Sequence, residues 1–137
     1  MKEGNIILTP IPQANGEIKN RPALILREMP KYQDFLVCGI STQLKQYIAE
    51  FDEIVSPGDG DDDFQSSGLV SPSVIRLSFL TVITRNNIIG SIGTISTERH
   101  KRLLHNLSQY LIKSRDESRK NYITLSEKYS APFSSQI

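Results

Sequence analysis

The sequence predicts a mainly β (α+β) fold, a small antiparallel barrel closed by one C-terminal helix. Three observations carry that expectation. Short apolar segments rich in β-branched residues recur as far as Ile95, separated by Pro, Gly and Asn. A single apolar stripe of helical period follows Ser96. The 137 residues, 38% of them hydrophobic, suffice for one core without disulfide or metal staples.

The elements follow in order. Asn5–Leu8 is an apolar strand ending at Pro10-Ile11-Pro12, and Gln13–Asn20, with Asn15-Gly16, is a turn or flexible loop. Ala23–Leu26 and Phe35–Ile40 are strands separated by Met29-Pro30-Lys31-Tyr32. Gln43–Phe51 is ambiguous, because Leu44, Tyr47, Ile48 and Phe51 have helical spacing while a strand, Phe51–Val55, follows at once. Pro57–Gly68 is acidic and Gly-rich and is expected to be a mobile loop. Ser73–Ile83 is the longest strand, alternating only partly over Val74–Ser78. In Ile88–Ile95 two glycines imply a bend or bulge.

Ser96 can cap a helix over Thr97–Ile112, with Glu98 complementing the dipole in its first turn. Leu103, Leu104, Leu107 and Leu111 are expected to face inward. Residues 1–113 thus form one domain, and 114–137 a polar tail or helical extension with scattered aromatics (Tyr122, Tyr129, Phe133).

Composition excludes several chemistries. Cys38 is the single cysteine and lies in an apolar run, so it reads as a core thiol. His100 and His105 are five residues apart, off ligand spacing for one helical face. The run Asp59-Gly60-Asp61-Asp62-Asp63 lacks the spaced oxygens and terminal Glu of a calcium loop. Gly90-Ser91-Ile92-Gly93 lacks the Gly-Lys-Ser/Thr ending of a phosphate loop. No metal or cofactor is expected. No apolar run is long enough to span a membrane, and no signal peptide is visible, so the expected location is cytoplasmic. Charge is unevenly spread: residues 1–96 carry 8 Lys/Arg against 11 Asp/Glu, residues 97–137 carry 8 against 4. A basic C-terminal segment could meet nucleic acid or an acidic protein, but taken alone solvated helix charge is the better reading.

Lys19-Asn20-Arg21-Pro22-Ala23-Leu24-Ile25-Leu26 is the most informative stretch. Pro22 fixes its own φ and holds Arg21 extended, so a guanidinium stands at a rigid strand start. The second strand closes on Ile40-Ser41-Thr42-Gln43. This pair, with Gly4-Asn5-Ile6-Ile7-Leu8 at the front and Val74-Ile75-Arg76-Leu77-Ser78 downstream, resembles the MazF/PemK family of toxin endoribonucleases.

The resemblance covers roughly residues 4–112. It implies an SH3-like barrel with appended helices, usually a homodimer, and favours a loop running into a strand across Gln43–Val55. It implies metal-independent, sequence-specific cleavage of single-stranded RNA (mRNA), growth inhibition, and neutralisation by an antitoxin whose acidic segment lies across the RNA site. DNA binding would come through the toxin–antitoxin complex. Arg21 falls at the family's catalytic arginine, Ser41 with Thr42 beside it at the catalytic threonine, and Arg76 at an arginine that acts in one branch. Lys19, Asn20, Gln43 and Lys45 are the flanking candidates for RNA contact. The chain departs from the pattern at Asn5, where an acidic residue is usual, at Ser78, where that one branch has Asp, at Ser41, and in the acidic insert and the tail.

The residues suit that chemistry. In metal-independent cleavage the RNA's own 2′-OH attacks the adjacent phosphorus, and the protein assists proton transfer and stabilises charge. Arg21 suits a phosphate clamp with a proton to donate, and an arginine side chain, which stays charged, is a poor base. Ser41 or Thr42 supplies one hydrogen bond, or merely ties a turn. Arg76 supplies a second positive charge, or pairs with Asp52 or Glu53 across the sheet. Tyr32, Phe35 and Tyr47 are the aromatics nearest in sequence for stacking on a base. The alternative reading is a catalytically inactive barrel of the same family that binds RNA or protein.

Overall fold

The computed structural model describes residues 1–114, so the tail expected beyond Ser114 lies outside the described residues. The chain divides into two units, residues 1–106 and 107–137. In the first, six strands form one antiparallel sheet that curls into a half-barrel, ordered β4-β5-β3-β2-β1-β6. The strands are β1 (Asn5–Pro12), β2 (Ile18–Glu28), β3 (Phe35–Ser41), β4 (Glu53–Val55), β5 (Ser73–Ile83) and β6 (Gly90–Thr94). A four-residue helix, α1 (Phe64–Ser67), precedes β5, and α2 (Thr97–Ile112) follows β6.

Alternation along the central strands serves two buried faces. Ile7, Ala23, Ile25, Phe35 and Val37 pack on one face with Ile83 and Ile88. Ile6, Leu24 and Cys38 are cross-strand neighbours on the other face, and all three are fully buried. Each Ile or Leu buried there contributes roughly 1.5–3 kcal/mol. Cys38 is a core thiol, and burial pushes its pKa far above the ordinary range.

Several boundaries differ from the expectation. β1 continues through Pro10 and Pro12, paired with Asn20 and Ile18. Its other edge meets β6 only as far as Leu8, so both prolines sit where a missing N–H costs no ladder bond. The turn therefore shrinks to Gln13–Glu17, closed by the Gln13 N–H donating to the Glu17 carbonyl. Leu44–Gln46 forms one 3₁₀ turn, and β4 starts at Glu53 rather than Phe51.

Two register shifts shape the sheet. β6 bulges at Ile92 between the partners of Ile6 and Ile7, where the two glycines implied it. A Cβ on Gly93 would collide with the α1 backbone at Ser66 and Ser67, so glycine lets α1 close onto β6. β5 bulges more strongly: Cys38 pairs with Leu80, but Gly39 pairs with Arg76. The three residues between, Leu77–Phe79, bow out of the ladder. The imperfect alternation over Val74–Ser78 marks this irregularity.

α2 begins as expected, with the Arg99 N–H donating to Ser96 Oγ at 3.1 Å. Leu103 is fully buried, and Leu104 is half-buried. In the second unit Leu107 is buried, but Leu111 is 68% exposed, so the inward stripe ends a turn earlier than expected.

The acidic segment is held, contrary to the expected mobile loop. Arg99 is 1% exposed and reaches Asp63, Asp59 and Asp61 on that segment and Glu53 on β4. Arg102 adds contacts to Glu53 and Asp61. Burial alone would raise the Asp63 carboxyl, but the Arg99 guanidinium and the Ser96 N–H hold it below the usual range. Burial acts against Asp59 in the same way, and backbone N–H groups and Arg99 again win.

Candidate functional site

The start of β2, the end of β3 and the bulge of β5 frame an open pocket of about 330 Å3. Arg21 is exposed on β2 opposite Thr9 of β1. Extending the Ala23–Gly39 register two residues brings Ser41 alongside Arg21. On the far side, the β5 bulge puts Arg76 opposite Gly39. Gly39 stands on the strand between the two arginines. A Cβ there would meet the Phe79 ring at 3.1 Å, so the bulge lays Phe79 against this glycine.

Arg21, Ser41, Thr42, Gln43 and Arg76 thus line one pocket, with Gln13, Gln46, Ser73 and Phe79. Lys19, Asn20 and Lys45 do not line it. They are exposed, the first two before Arg21 on β2 and the third beside Gln46. Among the aromatics, Phe35 is in the core and Tyr32 and Tyr47 lie elsewhere on the surface. Phe79 is the aromatic that the pocket uses, and only the bulge could have revealed it.

The pocket is electropositive by construction. Two guanidinium groups line it, and no carboxylate among the described residues does. Arg76 forms no ion pair among those residues: Glu53 is taken by Arg99 and Arg102. Asp52 uses both oxygens on backbone N–H groups, Leu77 at 2.9 Å and Ile48 at 3.0 Å. Burial raises the Asp52 carboxyl above its ordinary range, against the pull of those N–H groups and the more distant Arg76 charge. The side chain staples the loop carrying Gln46 to the bowed part of β5 that follows Arg76. Sequence reading weighed Asp52 only as an ion-pair partner and missed this role.

Ser41 Oγ accepts the Gln43 N–H at 3.0 Å, so it does tie a turn. Accepting that bond orients the hydroxyl and leaves its own O–H available to donate. Arg21 Nη2 donates to Gln13 Oε1 at 3.3 Å, and its other N–H groups have no hydrogen-bond partner among the described residues. The arrangement offers several donors from three strands to one small anion. No cluster of three metal-ligating side chains occurs among the described residues. No helix among them is long and apolar enough to cross a membrane.

No curated protein matches the chain. Compared with known families, residues 2–111 match the one described as PemK-like, MazF-like toxin of type II toxin-antitoxin system. That span contains the whole sheet, the pocket and nearly all of α2. With its fold and four-fifths of its length accounted for, this chain belongs to the PemK-like, MazF-like toxins of type II toxin-antitoxin systems.

Proposed function

We propose that the pocket cleaves single-stranded RNA without a metal ion. The observation that carries this reading is the pair Arg21 and Arg76, facing one pocket from β2 and β5 with Ser41 on the strand between and no acidic lining. A phosphodiester seated there meets two positive charges and a hydroxyl donor. The RNA 2′-OH attacks the adjacent phosphorus, the bond to the 5′ oxygen breaks, and a cyclic phosphate and a 5′-OH result. Arg21 clamps the phosphoryl oxygens and donates a proton toward the leaving oxygen, while solvent water takes the proton released by the 2′-OH and returns one to the guanidine. Ser41 or Thr42 donates one hydrogen bond, and Arg76 offsets the charge that grows on phosphorus-bound oxygen.

Membership of the toxin family implies an antitoxin partner. An acidic antitoxin segment would neutralise Arg21 and Arg76 together and so exclude RNA. In our reading the active form is a homodimer in the cytoplasm. Lys19, Asn20, Gln43 and Lys45 extend the RNA contact beyond the pocket, and DNA contact by the toxin–antitoxin complex is left to the antitoxin.

The test is incubation of purified protein with single-stranded RNA in EDTA, beside the same RNA with one 2′-deoxy nucleotide at the cut site. Cleavage of the first and sparing of the second supports the mechanism. Cleavage at the deoxy position excludes it, and no cleavage of either favours the binding-module alternative.

A further inference from the structure

We infer that Gln13 is a positioning residue for Arg21, an inference that rests on the reading of the pocket as an RNA phosphate site. Arg21 pairs across the ladder with Thr9, four residues before Gln13 on the same chain direction. At strand rise that separation is roughly 13 Å. The two long side chains bridge it by leaning toward each other, and Arg21 Nη2 meets Gln13 Oε1 at 3.3 Å.

The Gln13 end of this contact is fixed. Its side-chain Nε2 donates to the Ile11 carbonyl at 2.9 Å, which sets the amide orientation and leaves Oε1 toward the guanidinium. Its backbone closes the β1–β2 turn, donating to Glu17 and accepting from Gly16. It is half-buried, whereas Arg21 is exposed. Among the described residues this amide is the one hydrogen-bond partner of Arg21. A neutral acceptor orients the fork without cancelling its charge, which a carboxylate in the same place would do. Both side chains line the pocket, so the turn geometry is transmitted to the donors that face the phosphate.

Two variants separate orientation from charge. Gln13→Ala removes the acceptor and is expected to lower kcat/KM roughly five- to tenfold, with the salt slope of RNA affinity unchanged. Gln13→Glu keeps an acceptor but pairs with Arg21. It is expected to weaken RNA binding and to reduce the salt slope by about 0.7, one phosphate on a single strand. Side-chain NMR of the Arg21 guanidinium gives a readout that needs no RNA: restricted in wild type and in Gln13→Glu, freely rotating in Gln13→Ala. Unchanged Arg21 signals in Gln13→Ala overturn the inference whether or not RNA is cut. If wild type neither binds nor cuts RNA, the pocket reading fails while the NMR result still decides the contact.

Discussion

Arg99 and Asp63 meet as two parallel hydrogen bonds, Nε to Oδ2 and Nη2 to Oδ1, both at 2.9 Å and both buried. The pair fastens the segment before β5 to the first turn of α2. Fork-to-fork geometry is the strong form of this contact, and here the remaining donors are also occupied, by Glu53, Asp59 and the Ile54 carbonyl.

Arg99→Ala should therefore be severely destabilising, by about 3–5 kcal/mol, because it strands buried carboxylates without their cation. Arg99→Lys should recover only part of this, since an ammonium cannot bind Asp63 in parallel. Urea unfolding of the three proteins checks it; an Arg99→Ala midpoint equal to wild type would refute the clamp.

The same cluster sets an acid limit. Asp59 and Asp63 have folded pKa values below their ordinary range. Their contribution is complete above the unfolded value of about 4 and is lost as pH falls through the folded values. Asp52 runs oppositely: its raised folded value makes ionisation cost stability as pH rises through it. Urea midpoints should drop on acidification below about pH 4, and Asp63→Asn should flatten the drop. A wild-type midpoint that rises over that window would contradict this account.

None of the four aspartates between Asp59 and Asp63 lines the arginine pocket, and three of them are bound by Arg99 or Arg102. Asp59→Asn with Asp61→Asn should lower stability yet leave RNA affinity and its salt dependence unchanged. Binding titrations at low and high salt test this; tighter low-salt binding by the double variant would mean that the loop does repel RNA.

Beyond Ser73–Ile75, where β4 covers it, β5 exposes Leu80 and Val82. Among the described residues no strand covers that stretch of β5, and an open apolar strand edge calls for a partner. Light scattering at micromolar concentration should give twice the chain mass, and Leu80→Lys with Val82→Lys should shift it toward one. A monomeric wild type would count against the dimer.

Much of the fold was legible because it rests on local period. The start of α2 at Thr97 followed from its cap, and the glycines of β6 announced a bulge. Ser41 was legible because it closes β3, whereas Arg21, expected at a strand start, sits three residues inside β2, because pairing with β1 extends that strand back to Ile18. What escaped depends on distant chain segments. Arg99 reads locally as a solvated helix charge, and only the curl of the sheet brings Asp59 and Asp63 to it. Phe79 and Asp52 join the site through the β5 bulge, which weak alternation hinted at without giving its size. The prolines of β1 look like strand breakers until the free edge beside them is known.

The central claim, that the pocket cuts RNA through Arg21, is tested most directly by cleavage rates in EDTA for wild type, Arg21→Ala and Arg21→Lys. Losing a charge-stabilising donor should cost roughly 10²-fold or more in rate. Lysine should restore only part of it, because a planar fork becomes a point charge. Wild-type cleavage by Arg21→Ala, with the fold intact by circular dichroism, would contradict the assignment.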